Sequence, residues 1–182
     1  MISKGKLLIS VPFMMDPNFK RSVILITDHD LEEGSVGFVL NQKSEYKLEE
    51  LLEDIGDFSA DVYIGGPVAN NVMHFLHNVG ELIEESIPIA RGVYWGGNFV
   101  AMKFLLAQGV IKKENIRFFL GYSGWSKGQL QEEMDEQSWI LEDVDANYLF
   151  NHDVESLWKS VMRSKGETYS ALSEMDGDYI FN

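Results

Sequence analysis

The sequence contains no cysteine among its 182 residues. This absence excludes disulfide bonds, thiolate metal sites, iron–sulfur clusters and cysteine nucleophiles. Basic residues are also scarce, because 15 Lys and Arg stand against 29 Asp and Glu and give a net charge of −14. DNA affinity comes largely from several Lys and Arg side chains that displace counterions from phosphates. Since no basic block is longer than Lys20-Arg21 or Lys112-Lys113, we expect no direct binding to nucleic acid.

Long apolar runs are missing as well. A helix that crosses a bilayer needs about 20 apolar residues, and a negative protein surface is repelled by an anionic leaflet. The start of the chain is similar to a signal peptide, with Lys4 and Lys6 before an apolar run, but Pro12 interrupts the run and no Ala-x-Ala site follows. We therefore expect no membrane partner and a cytoplasmic location.

The composition that remains is that of a folded domain. Apolar residues make up 45% of the chain and aromatic residues 12%, which separates it from disordered sequences. A chain of this length normally builds one core. No repeat, linker or low-complexity tract divides it, so residues 1–182 are predicted to form a single domain.

Hydrophobic periodicity predicts a mixture of strands and helices. Strands are predicted at residues 6–11, 22–28, 35–40, 62–64, 72–77 and 116–122, and helices at 47–55, 98–108, 129–137 and 154–165. The second and third strands are typical of a hairpin, with Gly34 available for a positive φ. The order lacks a regular β-α-β alternation, which favours an α+β fold over α/β.

One stretch matches a catalytic motif. Gly124-Trp125-Ser126-Lys127-Gly128 has the G-x-S-x-G pattern of a nucleophile elbow, between a predicted strand and a predicted helix. A triad in the order Ser, acid, His would have only His152 downstream, with a few acids such as Asp143 and Asp145 between. A plain Gly-rich turn is the favoured interpretation, so no catalytic residue is assigned.

Metal and cofactor motifs are not evident. His74 and His77 are three residues apart, which on a strand points them to opposite faces and prevents joint zinc binding. No G-x-x-x-x-G-K-[ST] loop and no G-x-G-x-x-G stretch is present. We expect no cofactor and no metal.

Several loops carry more special residues than a simple connection requires. Polar groups, glycines and a Trp on loops of a rigid scaffold are typical of a binding site. The structural alternative is that these residues cap turns, permit close backbone approach or fill a core edge. The candidate ligand-binding residues are Asp16, Arg21, Asn41, Gly65, Gly66, His77, Tyr122, Trp125 and Gln129.

These loops also carry a resemblance. The matching stretches are Gly5-Lys6-Leu7-Leu8-Ile9-Ser10, Asp16-Pro17-Asn18-Phe19-Lys20-Arg21-Ser22-Val23, Gly37-Phe38-Val39-Leu40-Asn41, Gly65-Gly66-Pro67-Val68, Leu76-His77, Gly121-Tyr122-Ser123-Gly124-Trp125 and Gly128-Gln129-Leu130. In this order they cover nearly the whole chain, and by them the sequence resembles the YqgE/AlgH family of bacterial proteins.

The resemblance implies an α+β fold with a bent, partly barrel-like mixed sheet flanked by helices, in the bacterial cytosol. It implies little about activity, because the family is largely uncharacterised and its common label, transcriptional regulator, derives from one member's link to alginate production. The family's recurrent residues correspond here to Asp16, Pro17, Phe19, Arg21, Asn41, Gly65, Gly66, Pro67, His77, Gly121, Tyr122, Gly124, Trp125, Gly128 and Gln129. Two positions depart from the family pattern. Gln42 and Lys43 replace a basic residue and a proline, and Ser126 replaces another small residue.

Three hypotheses for function follow. The leading one is a non-enzymatic module that binds a small molecule or a protein, with the Arg21 guanidinium holding a carboxylate or phosphate and Trp125 offering a stacking face. An alternative role for Asp16 is to hold Arg21 in place. The second hypothesis, from the family label, is a transcriptional regulator that acts through another protein. The third is a hydrolase that depends on Ser126.

Overall fold

The computed structural model of the chain describes residues 1–150 and 153–175. These residues form ten strands: β1 (Lys6–Ser10), β2 (Val23–Asp30), β3 (Gly34–Val39), β4 (Lys43–Lys47), β5 (Asp61–Ile64), β6 (Val68–His77), β7 (Ile87–Ala90), β8 (Val93–Trp95), β9 (Ile116–Trp125) and β10 (Trp139–Asp143). They also form six helices: α1 (Leu48–Leu51), α2 (Phe99–Ala107), α3 (Gln129–Asp135), α4 (Ala146–Phe150), α5 (Leu157–Ser164) and α6 (Glu167–Glu174).

The strands join in one curled sheet, a half-barrel that the helices flank. The strand order is β10-β1-β2-β3-β9-β6-β8-β7, and β4 is attached through β5 to β9. Within the described residues, β5 and β9 are parallel and the other paired strands are antiparallel. The predicted α+β fold with a bent, partly barrel-like mixed sheet is confirmed.

Strand β9 pairs with three other strands of the sheet. One of its edges pairs with β6. The other edge pairs first with β5 at residues 118–120 and then with β3 at residues 123–125. Gly121, with a φ of +68°, lies between these two stretches in a left-handed conformation that suits glycine. The change of partner at Gly121 brings the end of β5 next to the end of β3.

Strands β1 and β2 are buried on both faces. Leu7 packs in a core cluster with Trp158 of α5, whereas Leu8 packs in another cluster with Leu130 of α3. This alternation follows from the period of two along a strand. A third cluster packs Met102 of α2 against the opposite part of the sheet.

The two longest predicted helices are confirmed in outline. Helix α2 begins after Asn98, whose side chain accepts a hydrogen bond from the Ala101 amide at 2.9 Å, and Gly109 follows it with a φ of +67°. Asparagine is typical of the position just before a helix begins, and glycine of the position just after it ends. In the region of α5, the four residues predicted to face inward are all buried: Val154, Leu157, Trp158 and Val161.

Several predicted boundaries are wrong. The strand predicted at 72–77 begins at Val68, as β6. The helix predicted at 47–55 ends at Leu51, because Leu52 is extended and Asp54 has a φ of +60°. Ile55 is nevertheless buried with Leu48 in one cluster. The apolar residue that predicted a longer helix therefore reaches the core from a turn and not from a helix. Strand β9 continues three residues beyond the predicted end because residues 123–125 pair with β3.

No helix in the part of the chain that the structure describes has the length and apolarity of a membrane span.

Candidate functional site

An open cleft of about 640 Å³ lies where several of the motif loops meet. Its wall and floor come from the loop before β2, from β4, from the end of β5, from the middle of β9 and from the start of β6. We call it the motif cleft, and it is lined by Asn18, Gln42, Ser44, Glu45, Tyr46, Ile64, Gly66, Pro67, Asn70 and Leu120.

Two irregular strands shape the motif cleft around an apolar floor. Ile64 and Leu120 lie side by side in the parallel register of β5 and β9. In β4, the register with β5 shifts between Lys43 and Lys47, and in β6 the register with β9 shifts between Val68 and Met73. Bulges of this kind push residues out of the ladder and are common beside functional sites. Here they place residues 44–46 and Asn70 as walls on either side of the floor.

The Gly65-Gly66-Pro67 stretch allows the backbones at the cleft to approach closely. The Gly65 carbonyl oxygen accepts hydrogen bonds from the Val39 amide at 2.9 Å and the Ser123 hydroxyl at 3.0 Å. A Cβ on Gly65 would lie 2.3 Å from the Gly121 carbonyl oxygen, and one on Gly66 would lie 2.3 Å from the Tyr122 carbonyl carbon. At Gly65 the backbones of β3, β5 and β9 therefore come into close contact, directly before Gly66 of the cleft lining.

Asn41 fixes the chain directly before Gln42, a residue of the cleft lining. Its side-chain oxygen accepts from the Val23 amide at 2.9 Å, and its side-chain nitrogen donates to the Arg21 carbonyl oxygen at 2.8 Å. Arg21 has a φ of +52°, an uncommon conformation for a residue with a side chain. The Asn41 side chain thus holds the turn into β2 and sets the position of the neighbouring Gln42.

Arg21 and Asp16 have partners of their own. The Arg21 guanidinium lies 5.2 Å from the ring centre of Trp158 and donates to the Met175 carbonyl oxygen at 2.7 Å. The Asp16 carboxylate accepts from the Asn18 amide at 2.9 Å, a local turn that orients the loop. Asp16 therefore positions Asn18 at the cleft, and the groups that hold Arg21 are Trp158 and Met175.

The cleft presents hydrogen-bonding groups with little positive charge. The side-chain amides of Asn18, Gln42 and Asn70 line it and make no hydrogen bond within residues 1–150 and 153–175. Each carboxamide can donate and accept. Among the described residues of the lining, Glu45 is the charged one and no lysine or arginine is present, so these residues offer no cation that would hold an anion.

The two lysines of β4, the strand that supplies Ser44, Glu45 and Tyr46 to the lining, are already paired. Lys43 contacts Asp61 at 2.9 Å, and Lys47 forms an ion pair with the same carboxylate. Hydrogen bonds from these two ammonium groups, with Lys47 the stronger, hold the pKa of Asp61 below its ordinary value. Asp61 in turn raises the pKa of Lys43. The pairing explains how a lysine directly after Gln42 adds no anion-binding charge to the cleft.

Trp125 and Gln129 lie away from the motif cleft. The indole of Trp125 is buried at 4% exposure, stacks on Phe19 with ring centres 6.0 Å apart, and donates to Glu133 at 2.9 Å. The Gln129 side chain donates to the same glutamate at 3.0 Å and accepts from the Ser126 amide. The indole expected to offer a stacking face to a ligand is thus buried against Phe19, and its contribution to ligand binding stays a prediction.

His77 and Tyr122 lie on different faces of the sheet, and each packs against another aromatic ring. His77 is fully buried, donates to the Gly96 carbonyl oxygen at 2.8 Å and stacks on Tyr94. Tyr122 packs edge-on against His74, with ring centres 6.0 Å apart. The two histidines lie on opposite faces of β6, as predicted, because Phe75 and Leu76 between them belong to different core clusters. Their binding roles also stay predictions.

The buried histidines predict a pH dependence of stability. Burial lowers the pKa of both His74 and His77 below the ordinary 6.5. Below about pH 6.5 the unfolded chain therefore binds more protons than the folded one, and the free energy of unfolding falls. We expect urea midpoints to decrease from about pH 7.5 to about pH 5.5, each histidine contributing at most about 1.4 kcal/mol per pH unit.

The control for this effect is His74→Phe, which keeps the aromatic contacts with Phe38 and Trp95 and removes the titrating group. It should make the pH dependence of the urea midpoint less steep, because His77 then remains as the other buried histidine. An equally steep dependence in His74→Phe and His77→Gln would show that other groups cause it.

Ser126 does not have the surroundings of a nucleophile elbow. It directly follows β9, but its φ is not positive, unlike that of five other non-glycine residues, and its hydroxyl contacts the Gln129 side chain at 3.3 Å. His152, the histidine of the proposed triad, lies outside the described residues. Within the described residues, no group of three or more metal-ligating side chains is assembled.

Sequence reasoning did not find all of the cleft residues. Ser44, Tyr46 and Asn70 stand on bulged segments of strands, where neither periodicity nor a motif singles them out. A partial signal for Asn70 was available in the Asn70-Asn71 pair, since asparagine tolerates irregular backbone.

Comparison with known proteins agrees with this architecture. A family model described as AlgH-like matches residues 7–170. A UPF0301 protein from Chlorobaculum tepidum is 40% identical over 168 residues, which is 92% of this chain and 89% of the relative. A UPF0301 protein from Cytophaga hutchinsonii is 39% identical over 183 aligned residues that cover both chains fully.

Solved structures show the same fold. The solution structure of AlgH from Pseudomonas aeruginosa matches with a TM-score of 0.72 and 28% identity, over 94% of this chain and 93% of that one. A crystal structure of a Corynebacterium diphtheriae protein matches with a TM-score of 0.78 over 96% of this chain and 93% of its own. At 21% identity, this second match supports the fold alone. From the family match over most of its length and the relatives near 40% identity, the chain belongs to the AlgH-like family.

Proposed function

We propose that the chain is a non-enzymatic binding module of the bacterial cytosol and that the motif cleft is its ligand site. One observation carries the proposal. Asn18 and Gly66, which belong to motif stretches far apart in sequence, line one open cleft together with Gln42, the residue that follows a third motif stretch. Of the nine residues predicted to bind ligand, Gly66 is the one in the lining, and Asp16, Asn41 and Gly65 hold the backbone of residues next to the cleft.

The lining favours an uncharged ligand that carries amide groups or similar hydrogen-bonding groups. Three carboxamides supply donors and acceptors, and Ile64 and Leu120 supply an apolar floor. An anion would face Glu45, without a lysine or arginine among the described residues of the lining, on a chain of net charge −14. Coulomb repulsion therefore disfavours the carboxylate or phosphate that Arg21 suggested from the sequence.

The experiment is an amide-resolved NMR titration of the full chain. We expect N-acetylalanine methylamide, a neutral amide probe, to shift the resonances of residues 42–46 and 64–70, and inorganic phosphate to leave them unchanged. Gln42→Ala and Asn70→Ala should each weaken binding of the neutral probe by about fivefold, since each removes one hydrogen bond worth about 1 kcal/mol.

Asn71→Ala is the matched control, because Asn71 is the adjacent, exposed asparagine and does not line the cleft. It should bind the probe as the unmodified chain does. Loss of binding in Asn71→Ala equal to that in Asn70→Ala, a preference for phosphate, or the absence of any shift at the cleft would refute the proposed ligand class.

A further inference from the structure

The outward face of helix α2 is apolar and uncovered. Val100 is 77% exposed, Phe104 62% and Phe99 41%. The opposite face of the helix carries Met102 and Leu106, which are buried. A surface helix normally turns polar residues outward, and an apolar patch that stays in water marks an interaction surface.

The patch continues past the end of the helix. A groove of about 290 Å³ runs along Phe99, Val100, Phe104 and Ala107. A second groove of about 470 Å³ shares Ala107 and extends to Phe58. Neither groove shares a lining residue with the motif cleft, so the surface is separate from the proposed ligand site. We call it the α2 surface.

Within residues 1–150 and 153–175, charges of both signs border the α2 surface in equal number. The lysines of the two grooves are Lys103, Lys112 and Lys113, and the acidic residues are Asp54, Asp57 and Glu114. The surface is therefore locally neutral on a chain of net charge −14. A strongly acidic or strongly basic partner would meet no net opposite field there.

This balance fits a second copy of the same chain. In a two-fold interface a patch meets itself, so it must be self-complementary, with an apolar centre and both signs of charge around it. Elsewhere the acidic excess of the chain would make two copies repel each other. Asp54 is well placed for a contact between copies, because its side chain is 89% exposed while its contact with Lys103 in the same chain is long, at 3.7 Å.

We propose that the α2 surface is a homodimer interface, in which α2 of one copy packs antiparallel to α2 of the other. Val100 and Phe104 form its apolar centre, and the small Ala107 allows the helix backbones to approach. Lys103 of each copy reaches Asp54 of the other.

The test is the mass of the full chain in solution, measured by sedimentation equilibrium over a wide concentration range. The unmodified chain is expected to be a dimer that dissociates on dilution. Phe104→Asp and Val100→Asp should each weaken dimerisation by about thirtyfold or more, because a central aromatic or apolar anchor is worth about 2 kcal/mol or more. Both side chains are exposed, so circular dichroism and the melting temperature of dilute samples should change little.

Leu31→Asp is the matched control, since Leu31 is 79% exposed in the turn between β2 and β3, away from α2. It should dimerise as the unmodified chain does. A monomer at the highest concentration overturns the proposal and indicates that the α2 surface binds a different protein. A dimer that resists Phe104→Asp, or one that Leu31→Asp disrupts equally, also overturns it. None of these outcomes bears on ligand binding at the motif cleft, which Phe104→Asp should leave intact.

Discussion

Replacing Gly65 with alanine is expected to lower the free energy of unfolding by about 3 kcal/mol or more. The added Cβ would lie 2.3 Å from the carbonyl oxygen of Gly121 and 2.8 Å from Cδ1 of Phe38. The backbone oxygen cannot rotate away, because it belongs to the middle of β9, so β5 and β9 must separate. The same change would distort the floor of the motif cleft. Urea denaturation followed by circular dichroism measures the loss.

Gly124→Ala is the control for this prediction. Gly124 also lies on β9, but a Cβ added there would have as its nearest neighbour Cε2 of Tyr122 at 3.3 Å, at the edge of a side-chain ring. A small shift of that ring accommodates a methyl group, so we expect a change of less than about 1 kcal/mol. If both variants unfolded at the same urea concentration, the close approach of backbones at Gly65 would not be what requires glycine there.

Trp158→Ala is expected to destabilise the fold by about 3–5 kcal/mol. The indole is 2% exposed and fills the space between α5 and the face of the sheet that carries Leu7. Its N–H donates to the carbonyl oxygen of Ser10 at 2.9 Å, and the Arg21 guanidinium lies over its ring. The substitution therefore removes an apolar volume, a buried hydrogen bond and the platform of Arg21 at once. Thermal and urea unfolding both measure the effect.

Trp158→Phe separates these contributions. Phenylalanine keeps most of the apolar contact and a ring face for Arg21 but leaves the Ser10 carbonyl oxygen without the indole donor, which should cost about 1–3 kcal/mol. A loss in Trp158→Phe as large as that in Trp158→Ala would mean that the hydrogen bond, and not the buried volume, accounts for the stability at this position.

Parts of the fold with a regular repeat were predictable from the sequence. The hairpin of β2 and β3, the helix α2 between Asn98 and Gly109, and the inward face of α5 all follow from periodicity and end signals. Short or polar elements were not predictable. Strand β4 reads Lys-Ser-Glu-Tyr-Lys and has no apolar alternation, and β8 is only three residues long. Their pairing with β5 and β6 is a property of the sheet, not of their own residues.

The candidate site, like the fold, was partly predictable from the sequence and partly not. Motif loops around Asp16, Asn41 and Gly65 were recognisable as special, and they do surround the cleft. The sequence could not tell which special residues support the fold, because a carboxamide that bonds to backbone, as in Asn41, and one that faces a cleft, as in Asn70, are the same chemical group. Burial of Trp125 was equally undecidable, since an indole suits both a core and a binding face.

By itself, the sequence determined that the protein lacks thiol chemistry, carries a strong negative charge, folds as α+β and belongs with AlgH-like proteins, because these properties depend on composition, local periodicity and order along the chain. Only the tertiary structure decided which loops share a cleft, which charges neutralise each other and which helix face stays uncovered. Those outcomes depend on strand register and on side-chain packing between residues far apart in the chain, and a linear pattern specifies neither.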